Sequence, residues 1–113
     1  MELGKLYQIK KYFWLLFPSK DIASEIIKVV RELMGLSGAS TLGAAHDEDF
    51  AATAAAYWSK RFNCNVTYIS ENDIFCLIEE DGKYLKVLTT NGELGWIRYP
   101  EDKEWAKSIK EVA

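Results

Sequence analysis

The chain has 113 residues, of which 49% are apolar, 27% charged and 13% aromatic. This is the composition of one folded domain and excludes wholesale disorder. Fourteen basic residues stand against seventeen acidic ones, a formal net charge of −3, which speaks against general coating of nucleic acid because phosphate neutralisation needs clustered cations.

Taken in chain order, the first predicted element is a strand over Leu6–Phe17. Its alternation puts Tyr7, Ile9, Phe13, Leu15 and Phe17 on one face, and Pro18 ends it. Lys10 and Lys11 ahead of Tyr12–Phe17 give the outline of a secretory leader. The apolar run is only six residues, however, and no small-residue cleavage pattern follows. No stretch approaches the roughly 20 apolar residues that span a bilayer, so no membrane association and a cytoplasmic location are expected. A helix is predicted from Asp21 onward, since Ile22, Ile26, Val29, Val30 and Leu33 form one helical stripe, with Asp21 as N-cap and Gly35 after the last turn. Residues 36–46 are small and polar and read as a mobile loop.

A second helix is predicted from Asp47, with Phe50, Ala54, Tyr57, Trp58 and Arg61 sharing a face. Asp47, Glu48 and Asp49 at its start and Lys60 and Arg61 at its end complement the helix dipole, and Asn63 can close it. From residue 64 the period changes to two. Strands are predicted over Cys64–Ile69, Asp73–Glu79, Tyr84–Thr89 and Glu93–Arg98, punctuated by Ser70-Glu71-Asn72, Asp81-Gly82 and Asn91-Gly92. The last two pairs are type I′ hairpin signals. With the N-terminal strand these make a small antiparallel barrel the economical arrangement. Tyr99-Pro100-Glu101-Asp102 reads as one helical turn with Pro at its first position. The tail to Val112 fits either a last strand or more of that helix, because Trp105, Ile109 and Val112 keep helical spacing.

Residues 69–97 resemble the SH3 and bacterial SH3-like pattern. Asn72-Asp73 stands at the family's Gly-Asp turn, Tyr84-Leu85-Lys86-Val87 at its aromatic pair before Lys-Val, Asn91-Gly92 at its distal hairpin, and Gly95-Trp96-Ile97 at its Gly-Trp-Ile. The likeness covers residues 66–98 well and residues 5–18 loosely. It implies an SH3-like β-barrel, here a single domain over 1–113 that carries a two-helix insertion over 21–63. It also implies Trp96 as a barrel core residue. The family's proline-binding surface has a Trp where Tyr84 stands and a Pro-x-x-Tyr that this chain lacks after Trp96.

No catalytic constellation is present. His46 is the only histidine, and the run His46-Asp47-Glu48-Asp49 reads as a loop tip and an acidic helix start, not a metal site, because neighbours on one turn point apart. There is no phosphate-binding glycine motif, and no cofactor is expected. Cys64 and Cys76, beside Phe62 and Phe75, read as two buried thiols, with a bridge between them as the alternative. The aromatics either fill the barrel–helix junction or supply a partner-binding patch made of Tyr7, Tyr12, Trp14, Trp58, Tyr84 and Tyr99, bordered by Lys10, Lys11, Lys20, Lys60, Arg61 and Arg98. The expected function is a non-catalytic protein–protein interaction module or small accessory subunit. A nucleic-acid-associated SH3-like protein is the alternative, disfavoured by the acidic balance. The Ile22/Ile26/Val29/Val30/Leu33 stripe is expected to dock on the barrel's open edge or on a second copy, which would give a homodimer.

Overall fold

Two strands, β1 (Leu6–Ile9) and β2 (Phe13–Leu16), replace the single N-terminal strand expected from the sequence in the computed structural model, which describes residues 1–34, 44–45, 47–98 and 107–112. The break is at Tyr12, whose φ of 74° is left-handed, a conformation that cannot continue a strand. The turn also breaks the alternation. Tyr7 and Ile9 enter one core together with Trp14 and Leu16, whereas Leu15 and Phe17 enter a second.

The remaining elements are α1 (Lys20–Met34), β3 (Ala44–Ala45), α2 (Glu48–Phe62), β4 (Thr67–Ile69), β5 (Ile74–Asp81), β6 (Tyr84–Thr89), β7 (Leu94–Arg98) and β8 (Ile109–Glu111). Among the described residues they make a mainly β structure with two helices; the helical turn expected at Tyr99-Pro100-Glu101-Asp102 falls outside these residues. One sheet is five-stranded, in the order β7-β6-β5-β1-β8, and the other is three-stranded, in the order β3-β2-β4. All their pairings are antiparallel. The tail left open between strand and helix contains a strand, β8, with Ile109 opposite Ile9. The five-stranded sheet is not closed into a barrel. Among the described residues its one backbone bridge to the other sheet is Phe17 with Trp96, where each amide donates to the other's carbonyl at 2.8 Å.

Both hairpin turns differ from the expected type. Asp81 pairs with Tyr84, so the first loop is Gly82-Lys83, and only Gly82 has positive φ (60°), as in a type II′ turn. In the second, the Gly92 amide donates to the Thr89 carbonyl and Thr89 to the Glu93 carbonyl, with φ of 83° at Gly92 alone. That is a three-residue loop ending in a left-handed glycine.

The sheet core is Tyr7, Ile9, Trp14, Leu16, Ile69, Phe75, Leu77, Leu85, Val87, Ile97 and Ile109. The helical core joins Leu15 and Phe17 of the β2 segment to Ala23 and Ile26 of α1, Ala55 and Trp58 of α2, and Val66. The β2 segment therefore has both faces covered, and each large side chain it buries contributes about 1.5–3 kcal/mol. It crosses β7 so closely that a Cβ on Gly95 would lie 2.7 Å from Leu16 Cγ and 2.8 Å from the Phe17 carbonyl oxygen.

Ser19, not Asp21, caps α1: its Oγ accepts from the Ile22 amide at 3.1 Å, while Asp21 lies inside the first turn. Gly35 and the predicted loop 36–46 fall outside the described residues apart from Ala44 and Ala45. Four of the five residues of the α1 stripe pack within their own chain. Ile26 is 2% exposed, Ile22, Val29 and Val30 pack against the helical core, and Ile26 offers no surface to a second copy. In α2 Asn63 closes the helix as expected, while Asp47, expected as its first residue, is its N-cap. Asp47 accepts from the Phe50 amide at 2.8 Å, and Asn63 ends the helix in the left-handed region. The buried face does not follow expectation. Ala51, Ala55 and Trp58 turn inward and leave Phe50 and Tyr57 exposed, because small residues one and two turns before Trp58 let the helix lie close to β2 and β4. Among the described residues no helix is long and apolar enough to cross a membrane.

Candidate interaction face

The inward residues of β6 and β7, Leu85, Val87 and Ile97, are each 1% exposed or less. Period-two geometry therefore turns their neighbours outward. The outer face carries three directly opposed pairs: Tyr84 with Arg98, Lys86 with Trp96, and Leu88 with Leu94. Opposed side chains on an antiparallel pair lie within contact distance of one another, so the three pairs form a ladder along the hairpin.

At one end, Arg98 is only 6% exposed and its guanidinium carbon lies 5.3 Å from the centre of the Tyr84 ring. Ser24, Ile27, Lys28 and Glu32 of α1, with Lys83 of the turn, complete a cleft of about 500 Å³ around that pair. Among the described residues its charged lining is Lys28, Lys83, Arg98 and Glu32. In the middle, Trp96 is half-buried, with the Lys20 and Lys86 ammonium groups each 5.9 Å from its ring centre. Lys20 also pairs with Asp81, and that hydrogen bond raises its pKa above the ordinary 10.5. At the other end, Leu88 is 39% and Leu94 55% exposed. From there an apolar row crosses the whole sheet. Leu94 faces Leu88, Leu88 faces Cys76, Cys76 faces Leu6, and the Val112 amide donates to the Leu6 carbonyl at 2.9 Å.

The structure scatters the six aromatics expected to form a partner patch. Tyr84 lines the cleft. Tyr12 is half-buried against the sheet core, with Lys11 5.1 Å from its ring centre. Tyr7, Trp14 and Trp58 are 5%, 1% and 8% exposed, so these three fill the two cores and present no ring to a partner. Tyr7 and Trp14 belong to the sheet core and Trp58 to the helical core. Tyr99 and His46 lie outside the described residues. Trp96, expected in the core, is on the outer face, and Ile97 takes the core position.

Leu6, Leu88 and Leu94 were not foreseen as surface residues, nor Lys28 and Lys83 as cleft residues. The strand parity that buries Leu85, Val87 and Ile97 was the available signal for Leu88, Leu94 and Trp96. Nothing in the sequence brought α1 beside Tyr84. Among the described residues no three His, Cys, Asp or Glu side chains are grouped to hold a metal ion, and Cys64 and Cys76 are free, half-buried thiols. Comparison of the chain with protein-family models, with curated proteins and with solved structures finds no match in any of the three.

Proposed function

We propose that the chain is a non-catalytic protein–protein interaction module, or a small accessory subunit, that engages its partner through the outer face of β6 and β7. The ladder of Tyr84/Arg98, Lys86/Trp96 and Leu88/Leu94 is the observation that carries this reading. It sets the cleft around Tyr84 and Arg98 beside a partly exposed Trp and two exposed leucines on a rigid hairpin, a pattern suited to an extended acidic segment with apolar residues. Carboxylates would meet the Lys28 side of the cleft, and apolar side chains would cover Trp96, Leu88 and Leu94. Aromatic and Arg anchors ringed by weaker contacts are the usual energetic centre of such interfaces. An SH3-like relation is part of the proposal. It is supported by a five-stranded antiparallel sheet whose N-terminal strand lies between β5 and β8, and by the Gly95-Trp96-Ile97 segment on β7. A cytoplasmic setting agrees with two free thiols, which reducing compartments preserve.

The test is fluorescence anisotropy of a labelled, extended peptide of alternating Glu and Leu titrated with the full chain. Binding should be saturable, and Lys28→Glu with Lys83→Glu, or Trp96→Ala, should weaken it by about tenfold or more. A labelled single-stranded oligonucleotide is the second arm. Tighter binding to it, with a steep salt dependence, would favour the nucleic-acid reading, and binding to neither would overturn the assignment of this face.

A further inference from the structure

The outward side of α2 is a second surface, separate from the β6–β7 face. Phe50 is 65% and Tyr57 52% exposed, two turns apart on one side of the helix. Asp49, Thr53, Ala56 and Lys60, all exposed, lie on the same side. Thr53 and Ala56 are small enough for a second helix to approach to about 8–10 Å between axes. The charges are arranged by sign along the axis, with Glu48 and Asp49 in the first turn and Lys60 and Arg61 in the last. Glu48 is taken by the Tyr68 hydroxyl at 2.9 Å, and Arg61 by the Tyr57 hydroxyl at 3.0 Å. Asp49 and Lys60 make no ion pair among the described residues. They are separated by eleven residues, about 16 Å along the axis.

We infer that the outward face of α2 pairs antiparallel with the same face of a second copy of this chain. A two-fold axis passing the helix between Ala54 and Ala55 sets Asp49 of each copy opposite Lys60 of the other and Thr53 opposite Ala56. It brings Phe50 within a turn of the second copy's Tyr57. The contact is isologous, so one favourable ion pair occurs twice, and the helix dipoles oppose. A parallel arrangement would instead set like charges together. The second copy is thus the occupant that both the aromatic pair and the charge gradient fit. One helix pair makes a small interface, which places the dimer in the weak, concentration-dependent class.

Sedimentation equilibrium of the full chain, from about 1 μM to 1 mM at low salt, tests it across the weak range of affinities. The mass should rise from 12.9 kDa towards twice that value. Phe50→Asp, at an exposed position, should raise the dissociation constant by about tenfold or more with an unchanged circular dichroism spectrum. Asp49→Lys and Lys60→Asp should each weaken the dimer, and the double variant should recover most of the loss, because the swapped charges again face each other. A constant 12.9 kDa throughout, a dimer indifferent to Phe50→Asp, or a double variant weaker than both single ones would each overturn the proposal. Lys60→Asp lies at the far end of the helix from the N-terminal turn, so a local effect of Asp49→Lys on that turn does not blur the reading.

Discussion

Gly95 shows how much depends on one missing side chain. With Leu16 Cγ and the Phe17 carbonyl oxygen both within 2.8 Å of its missing Cβ, Gly95→Ala forces β2 away from β7. Leu16 can rotate but the Phe17 backbone cannot, because both its hydrogen bonds to Trp96 run through that point. A loss of about 1–3 kcal/mol is expected, the usual range for overpacking, measured as a lower urea midpoint. The next two residues separate surface from core. Ile97→Ala should cost about 2–5 kcal/mol, whereas Trp96→Ala, which removes a half-buried ring, should cost about 1 kcal/mol and act mainly on binding. Equal losses for the two would contradict the face assignment. Tyr68 supplies a pH-dependent contact. Its hydroxyl donates to Glu48 Oε1 at 2.9 Å, and this holds its pKa above the ordinary 10.0. Since the folded value is raised, the stabilisation is complete below pH 10 and lost as pH climbs through the folded value. Tyrosinate absorbance should show the titration of the wild type losing its high-pH limb in Tyr68→Phe.

At the level of elements, the α2 boundaries and the strands after residue 66 were legible, whereas the α1 cap, the N-terminal reversal and the faces were not. Asp47 and Asn63 bound α2 as their residue types demand, and the strand segments after residue 66 fall where period-two patterning put them. The N-terminal strand was misread because no Gly, Pro or Asn marks the reversal at Lys10–Tyr12, which is made by one left-handed tyrosine. The α2 face was misread because Phe50 and Tyr57 outweigh Ala51 and Ala55 in any hydrophobicity count, although the alanines are what let Trp58 reach the core. The candidate face was half legible: the sequence offers Tyr84 for a patch and Arg98 for its border, but their direct pairing depends on register and the cleft depends on α1, a contact between distant segments. The start of α1 offers a simple check. Ser19→Ala should cost about 1 kcal/mol by leaving the Ile22 amide without its Oγ acceptor. Asp21→Ala should cost less, losing only a favourable charge in the first turn. Thermal melts of the two variants decide which residue is the cap.

For the molecule as a whole, β2 makes one cooperative unit of two cores. Leu15→Ala opens the helical cluster and Leu16→Ala the sheet cluster. Because these neighbours share one strand, each variant should still unfold in a single transition seen together by far-ultraviolet circular dichroism and by tryptophan fluorescence. Two separated transitions would mean that the cores are independent domains. The pairing of β1 has a further consequence, in the order of events on the ribosome. Ile9 and Ile109, partners across the β1–β8 ladder, are 100 residues apart, and the β5 side of β1 is also supplied late, with Leu6 opposite Cys76. Synthesis proceeds at about 5–20 residues per second, so β1 emerges several seconds before either neighbour exists. It spends that time as an unpaired apolar strand. Lys10 and Lys11, exposed directly after it, are the kind of flanking charge that keeps such an edge from pairing with another nascent chain. Replacing both should leave the finished protein's stability nearly unchanged while lowering the yield of soluble chains.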